Sequence, residues 1–220
     1  MKLGSNMAGR TGILMSVICL LSVVLVAVSV SSMYGIKERT TIIYKHSYVV
    51  SSTAKDMLSR LSGVQNYSKK LLTDRFKSRD DAERYMLSNT EASRRQAGLI
   101  AERYLGPEAD TKKLVSDYER LVAARVKAVA FALEYSDSET IKYLEENVDP
   151  LYDEVFKDLD TILTFADNNV RRLENESTVT FNAATLMLAM LILTLVCFSF
   201  FQLPAAAETR HGGGLQAEAL

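Results

Sequence analysis

Two uncharged apolar stretches, Ile13 to Met33 and Ala183 to Phe201, bracket a polar interval that runs from Lys37 to Thr180. Each is about 20 residues, which at 1.5 Å per residue matches the roughly 30 Å hydrocarbon core of a bilayer. The pattern predicts two transmembrane helices, residues 13–36 and 181–203, with residues 37–180 forming one extramembrane domain between them.

Within that domain the apolar period is helical throughout. Ile43, Val50, Met57, Val64 and Leu71 recur at sevens, with Ala54 and Leu61 beside them. A first amphipathic helix therefore extends the first apolar stretch without a break to about Leu72. Ser78-Arg-Asp-Asp81 reads as a helix start with acids in the first turn. A second helix then runs from about Asp80 to Leu105 and is closed by Gly106-Pro107. Its inward seam, Met86, Thr90, Ser93, Ala97, Ile100 and Tyr104, is mostly small or polar, the composition of a binding site or a close helix contact. A third helix spans about Ala109 to Tyr135, with Leu114, Tyr118, Leu121, Ala128 and Ala132 on one stripe and Val115, Val122 and Val129 beside it; Arg125 interrupts the stripe.

Ser136-x-x-Glu139 reads as a capping box for a short piece, Glu139 to Val148, and Asp149-Pro150 opens a fourth helix with Pro in its first turn. Tyr152, Leu159, Ala166 and Leu173 recur at sevens along it, with Val155 and Ile162 between, and no breaker separates it from the second apolar stretch. Asn169 falls where this heptad asks for an apolar residue. Such a position is either a buried, register-fixing Asn or an exposed break in the seam. Short connections make successive helices antiparallel neighbours. The predicted class is all-α: an antiparallel up-down-up-down four-helix bundle flanked by two transmembrane helices.

Composition narrows the function classes. A net charge of −1 gives no electrostatic footprint for nucleic acid. The two cysteines, Cys19 and Cys197, both lie in the apolar stretches, so the polar domain has neither a disulfide nor a cysteine metal site. His46 and His211 are far apart, and no nucleotide loop, metal-ligand spacing or nucleophile elbow is present. The sequence predicts no enzyme, no metal and no cofactor. Glu145-Glu146 and Asp158 with Asp160 read as solvated helix faces. Lys2 and Arg10 favour a cytoplasmic N-terminus, although Lys37 and Arg39 lie past the other end of the first stretch. That stretch exceeds the apolar core of a signal peptide, and its Ser29-Val-Ser-Ser32 exit lacks Ala-x-Ala, so it reads as an uncleaved anchor.

Local text adds a resemblance. Tyr44-Lys45-His46-Ser47-Tyr48-Val49-Val50, Ile100-Ala-Glu-Arg-Tyr-Leu-Gly106, Arg125 and Phe165-Ala166 are similar to stretches of the four-helix-bundle sensory ectodomain of bacterial methyl-accepting chemotaxis receptors and related sensor kinases and diguanylate cyclases. Ser47 stands where that family usually has Pro. The resemblance covers about residues 10–200. It implies a chemoreceptor-like, two-pass protein of the bacterial inner membrane, acting as a homodimer. Its periplasmic domain would detect a small molecule or a periplasmic protein and pass a helix displacement across the bilayer. After the second span the family continues into a HAMP linker. Gln202-Leu-Pro-Ala-Ala-Ala207 does not follow that pattern, and residues 204–220 read as a short flexible cytoplasmic tail with residues 1–12 as the cytoplasmic N-terminus. The chain thus resembles the input half of a receptor. The competing readings are a non-sensing, membrane-anchored helical scaffold and the truncated input half of a kinase or cyclase.

The candidate ligand residues are cationic with one acid. Arg125 on an apolar stripe needs a counter-charge if buried, and Glu91 across the Gly106-Pro107 turn is placed to supply it; otherwise Arg125 can anchor an anionic ligand. Arg94, with Arg95, flanks the polar seam, and arginine forks match carboxylates. In the aspartate- and serine-sensing members of the resembled family, arginines on the first helix hold ligand carboxylates near the dimer interface. Arg60 and Lys69, with Lys70, occupy roughly that region here. His46 and Tyr44 lie near the membrane end and read as interfacial.

Overall fold

The computed structural model describes the backbone of residues 4–73, 79–135 and 137–211, and the side chains within 15–67, 89–132, 134–135, 138–194 and 196–197. Every regular element in the described residues is a helix. In chain order these are α1 (Gly4–Ile42), a π-helical turn (Ile43–Ser47), α2 (Tyr48–Thr73), α3 (Arg79–Arg103), α4 (Glu108–Glu134), α5 (Asp137–Asn147) and α6 (Asp149–His211). Two of them, α1 and α6, hold stretches long and apolar enough to cross a membrane.

The predicted heptads do become the interior. Val50, Ala54, Met57 and Leu61 of α2 join Ala97 and Ile100 of α3, Leu114, Tyr118, Leu121 and Ala128 of α4, and Tyr152, Val155, Leu159, Ile162 and Ala166 of α6 in one buried cluster. Helix α3 packs on α2 and on α4, and α5 packs on both α2 and α4. Residues three and four apart on a helix share a face, and this is why positions at sevens and fours converge. Val115, placed beside the α4 stripe, is exposed instead at 38%. It follows Leu114 by one residue, a rotation of about 100° out of the core. The side chains of the seam residues Leu71 and Met86 lie outside the described ones, as do Ser78 and Ser136 as helix starts.

Two details go beyond the periodic reading. The first helix runs on without a break, as the period predicts, but α1 and α2 join through a π-helical turn. The wider turn brings Ser47 into the interior at 4% exposure, and His46 Nδ1 donates to the Arg103 carbonyl at 3.1 Å. π-turns of this kind are inserted single turns that shift the facing of side chains. Asn169 of α6 resolves to the buried alternative. Its Nδ2 donates to Ser47 Oγ at 2.9 Å, and its Oδ1 accepts from Arg172 Nη2 at 2.9 Å. The second detail is at the C-terminal side, where α6 runs through Pro204 to His211.

The α3–α4 connection is built around Tyr104. Its hydroxyl donates to Asp110 Oδ2 at 2.8 Å, and its ring meets Phe165 edge-on at 5.1 Å between centroids. A Cβ on Gly106 would overlap that ring, so this position admits only glycine while Tyr104 keeps its place.

The chain divides into two compact units, Thr40–Glu174 and the pair of segments Met1–Arg39 with Asn175–Leu220. The first holds the cluster above. In the second, the most apolar windows of α1 and α6 have no buried residue. Leu20, Val23, Met33 and Leu186 are each more than two-thirds exposed. Hydroxyls in these windows close on their own helix: Ser22 Oγ donates to Ile18 O and Thr194 Oγ1 to Met190 O, each four residues back. That is the arrangement required where no water is at hand. Arg39 of α1 is tied to α6, with Nη1 donating to Thr180 Oγ1 at 2.8 Å and to the Glu176 carbonyl at 3.2 Å.

Candidate functional site

Polar chemistry in the Thr40–Glu174 unit concentrates at two places. The first is a cleft of about 460 Å³ between α4 and α6, lined by Asp110, Lys113, Asp117, Arg120, Glu154, Lys157, Asp158 and Thr161. Heptad positions supply its floor: Asp117 lies next to Tyr118, and Asp158 falls three residues after Val155 and four before Ile162. Both aspartates are buried, at 6% and 7% exposure. Lys113 Nζ bridges them, donating to Asp117 Oδ2 at 2.7 Å and to Asp158 Oδ1 at 2.6 Å. Arg120 Nη1 donates to Asp117 Oδ1 and to Glu154 Oε2, both at 2.9 Å.

The two carboxyls respond oppositely to this setting. Burial works to raise both. For Asp117 the hydrogen bonds from Lys113, Arg120 and Asp158 outweigh it, and its carboxyl is held below the usual range. Asp158 has Lys113 alone against burial and the neighbouring Asp117, and it is pushed up. Its Oδ2 is buried with no hydrogen-bond partner in the described residues. Lys113, hydrogen-bonded first to Asp117 and then to Asp158, is pushed up to about 12. The cluster therefore clamps α4 to α6 by charge. No group of three or more His, Cys, Asp or Glu suited to a metal ion occurs in the described residues.

The second place is the α3–α4 contact. The polar seam of α3 faces inward, with Thr90 at 8% and Ser93 at 1% exposure. Tyr118 of α4 is buried and its hydroxyl donates to the Thr90 carbonyl at 2.8 Å. Burial raises the Tyr118 hydroxyl, while the charge of Arg125 and the Ser93 hydroxyl act to lower it. Arg125, two turns further along the same face, is 3% exposed. Its Nε, Nη1 and Nη2 are all buried and have no hydrogen-bond partner in the described residues.

The expected Arg125–Glu91 pair is not formed. Glu91 follows Thr90 by one residue and is rotated off the inward seam to the surface, where it accepts from Arg94 Nη1. Arg94 in turn forks onto Glu119, with Nε to Oε1 at 2.7 Å and Nη2 to Oε2 at 2.9 Å, which raises its basicity further. The structure thus brings Glu91 and Arg94 together on an exposed α3–α4 ion-pair group and leaves Arg125 inside. Arg60 is exposed on α2, Arg95 is exposed on α3, and the Lys69 and Lys70 side chains lie outside the described residues.

The cleft residues Lys113, Asp117, Arg120, Glu154 and Asp158 were not among the sequence candidates. The signal was present in part: Lys113, Asp117 and Arg120 stand at spacings of four and three, which places them on one helix face. Asp158, read as solvated with Asp160, is buried, whereas Asp160, Glu145 and Glu146 are exposed. Two residues apart on a helix is about 200°, so Asp158 and Asp160 cannot share a face.

Compared with protein-family models, with curated proteins and with solved structures, the chain matches none.

Proposed function

We propose that the chain is a membrane-anchored sensory protein of the chemoreceptor ectodomain type. In this reading residues 13–36 and 181–203 cross the bacterial inner membrane. Residues 37–180 form a periplasmic, antiparallel up-down-up-down four-helix bundle that works as a homodimer. Binding of a small molecule or a periplasmic protein displaces α6 relative to α1, and a shift of about 1–2 Å is enough where the packing is bistable. The partners are thus the lipid bilayer, a second copy of the chain and the ligand. No enzyme activity, cofactor or nucleic acid enters the reading.

The observation that carries it is two apolar helical windows without a buried residue, one in α1 and one in α6, in a chain that also holds a packed helical unit, Thr40–Glu174. Exposed apolar surface on this scale has to be covered by lipid or by another chain. The antiparallel arrangement is supported by cross-links whose numbering runs in opposite senses. Lys113 meets Asp158 while Arg120 meets Glu154, and Ser51 meets Asp167 while Gln65 meets Asp149. Rising positions on α4 and on α2 each meet falling positions on α6.

Reporter fusions at Ser78 and after Leu220 test the topology and are expected to label opposite sides of the membrane. A chimera with residues 1–203 ahead of the signalling half of a chemoreceptor is expected to change its output with the composition of the outer medium. Fusions that label the same side, or a chimera locked in one output in every medium, would overturn the reading.

A further inference from the structure

The cleft between α4 and α6 holds more acid than base where it is deepest. Asp117 and Asp158 are both buried, and one ammonium, Lys113 Nζ, bonds the two of them at 2.7 and 2.6 Å. Two carboxylates that share a single lysine nitrogen stand close enough to repel each other. Arg120 is taken by Asp117 and Glu154. Three carboxylates thus share two cations, and Asp158 is the one left short. Its Oδ1 accepts from Lys113, while its Oδ2 is buried with no hydrogen-bond partner in the described residues. The charged groups that face it are Asp110, Lys113, Asp117 and Arg120 from α4, with Glu154 and Lys157 from its own helix; the residues that line the cleft all belong to these two helices. Asp110 accepts from Tyr104, the Glu154 side chain is 44% exposed, and Lys157 is exposed. A buried carboxyl in the position of Asp158 changes its protonation state rather than stay ionised.

We propose that this cleft is a proton-operated clamp: with Asp158 protonated it holds α4 and α6 together, and with Asp158 ionised it lets them part. A proton from bulk water forms the O–H bond at Oδ2, cancels the surplus charge and leaves Oδ1 accepting from Lys113. The new hydroxyl has the Asp117 carboxylate as its acceptor. As pH rises the proton returns to water and the charge reappears beside Asp117. Water entering the cleft then relieves it, because a buried charge short of partners is stabilised by solvation. The apolar cluster keeps both helices in the bundle, so the movement is a small parting on the cleft side, on the scale of about 1–2 Å known for packed two-state helices. The sign follows from the setting. Burial and Asp117 push the Asp158 carboxyl up, so the closed state takes its proton at a pH where an ordinary aspartate is already ionised. Closure is present below that range and is lost as pH rises through the folded value. Helix α6 also carries the second apolar window, which makes the proton an input of the kind the sensory reading requires. The inference rests on that reading for its purpose and on the cleft alone for its mechanism.

The test uses the full chain in detergent micelles. With carbon-13 at the aspartate side-chain carboxyls, one resonance is expected to titrate at higher pH than the rest and to vanish in Asp158→Asn. The clamp is read from the distance between spin labels at Ser116→Cys on α4 and Thr164→Cys on α6, both exposed positions, with Cys19 and Cys197 changed to Ser. That distance is expected to lengthen by about 1–2 Å as pH rises through the midpoint of the Asp158 resonance. It should stay short at every pH in Asp158→Asn, and follow the wild type in Asp160→Asn, whose position is exposed. Should the labelled chain fail to fold, amide exchange in the unlabelled one decides: protection of α4 and α6 is expected to fall through the same midpoint, and not in Asp158→Asn. An Asp158 carboxyl that titrates with the other aspartates near about pH 4 would overturn the proposal. So would a label distance, or an exchange protection, that ignores pH or changes equally in Asp158→Asn. None of these measurements reads signalling, so their failure leaves the topology and chimera tests standing, and a chimera locked in one output leaves the clamp standing.

Discussion

Substituting the two buried aspartates of the α4–α6 cleft one at a time should give opposite results. Asp117 accepts from Lys113 and Arg120, whose side chains are 57% and 56% exposed. A charge-assisted bond to a buried carboxylate is worth about 1.5–3 kcal/mol when both partners are buried. Donors that remain in contact with water lower this towards the 0.2–1 kcal/mol of exposed pairs. For the Asp117 carboxylate as a whole, about 2 kcal/mol is the expected loss in Asp117→Asn at pH 7. Asp158→Asn removes a charge that burial and Asp117 both oppose, and the amide oxygen can still accept from Lys113. Its expected effect is between neutral and about 1 kcal/mol stabilising. The pH dependence separates the two further. The lowered Asp117 contributes stability that is present above the ordinary carboxylate range and is lost as pH falls through its folded value. The raised Asp158 contributes stability that is present at acid pH and is lost as pH rises through its folded value. Urea unfolding of the full chain in micelles, followed by circular dichroism from pH 3 to pH 8, reads both. The Asp117→Asn deficit should shrink below about pH 4. A deficit that stays constant to pH 3, or an Asp158→Asn variant as unstable as Asp117→Asn at pH 7, would refute this account of the cluster.

The remaining predictions concern packing. Asn169→Ala strands Ser47 Oγ in the interior and should cost about 1–2 kcal/mol. In a double-mutant cycle with Ser47→Ala the coupling should be near 1 kcal/mol, and additive losses would mean that the hydrogen bond does not matter. Leu121→Ala, at a fully buried position, should cost about 2–5 kcal/mol. Val115→Ala, on the same helix but exposed, should stay within about 0.5 kcal/mol, and equal losses would contradict the facing of α4.

How much of this was legible in the sequence follows from which features are local. Helical period and the length of an apolar run are properties of one segment, so the helices, the inward heptads and the two apolar stretches could be read from residue spacing alone. Val50, Met57, Tyr152 and Leu159 are buried because sevens on a helix return to the same face. The burial of Asp158 was in principle legible by the same rule, since it lies between Val155 and Ile162 on their face; pairing it with Asp160 hid that.

Contacts between helices are another matter, because each depends on rotation and axial offset together. The Arg125–Glu91 pair satisfied the offset, yet one residue of rotation from Thr90 carries Glu91 to the surface and into the hands of Arg94. The Lys113 bridge between Asp117 and Asp158 needs α4 and α6 in register across 45 positions of sequence. The π-helical turn at Ile43–Ser47, which turns Ser47 inward to meet Asn169, answers to a partner 122 residues away. Segment spacing specifies which face of each helix is apolar. Only packing of the faces decides which polar groups are trapped between them, and it leaves Arg125 inside without a described partner because burial of its apolar neighbours on the same stripe carries it in.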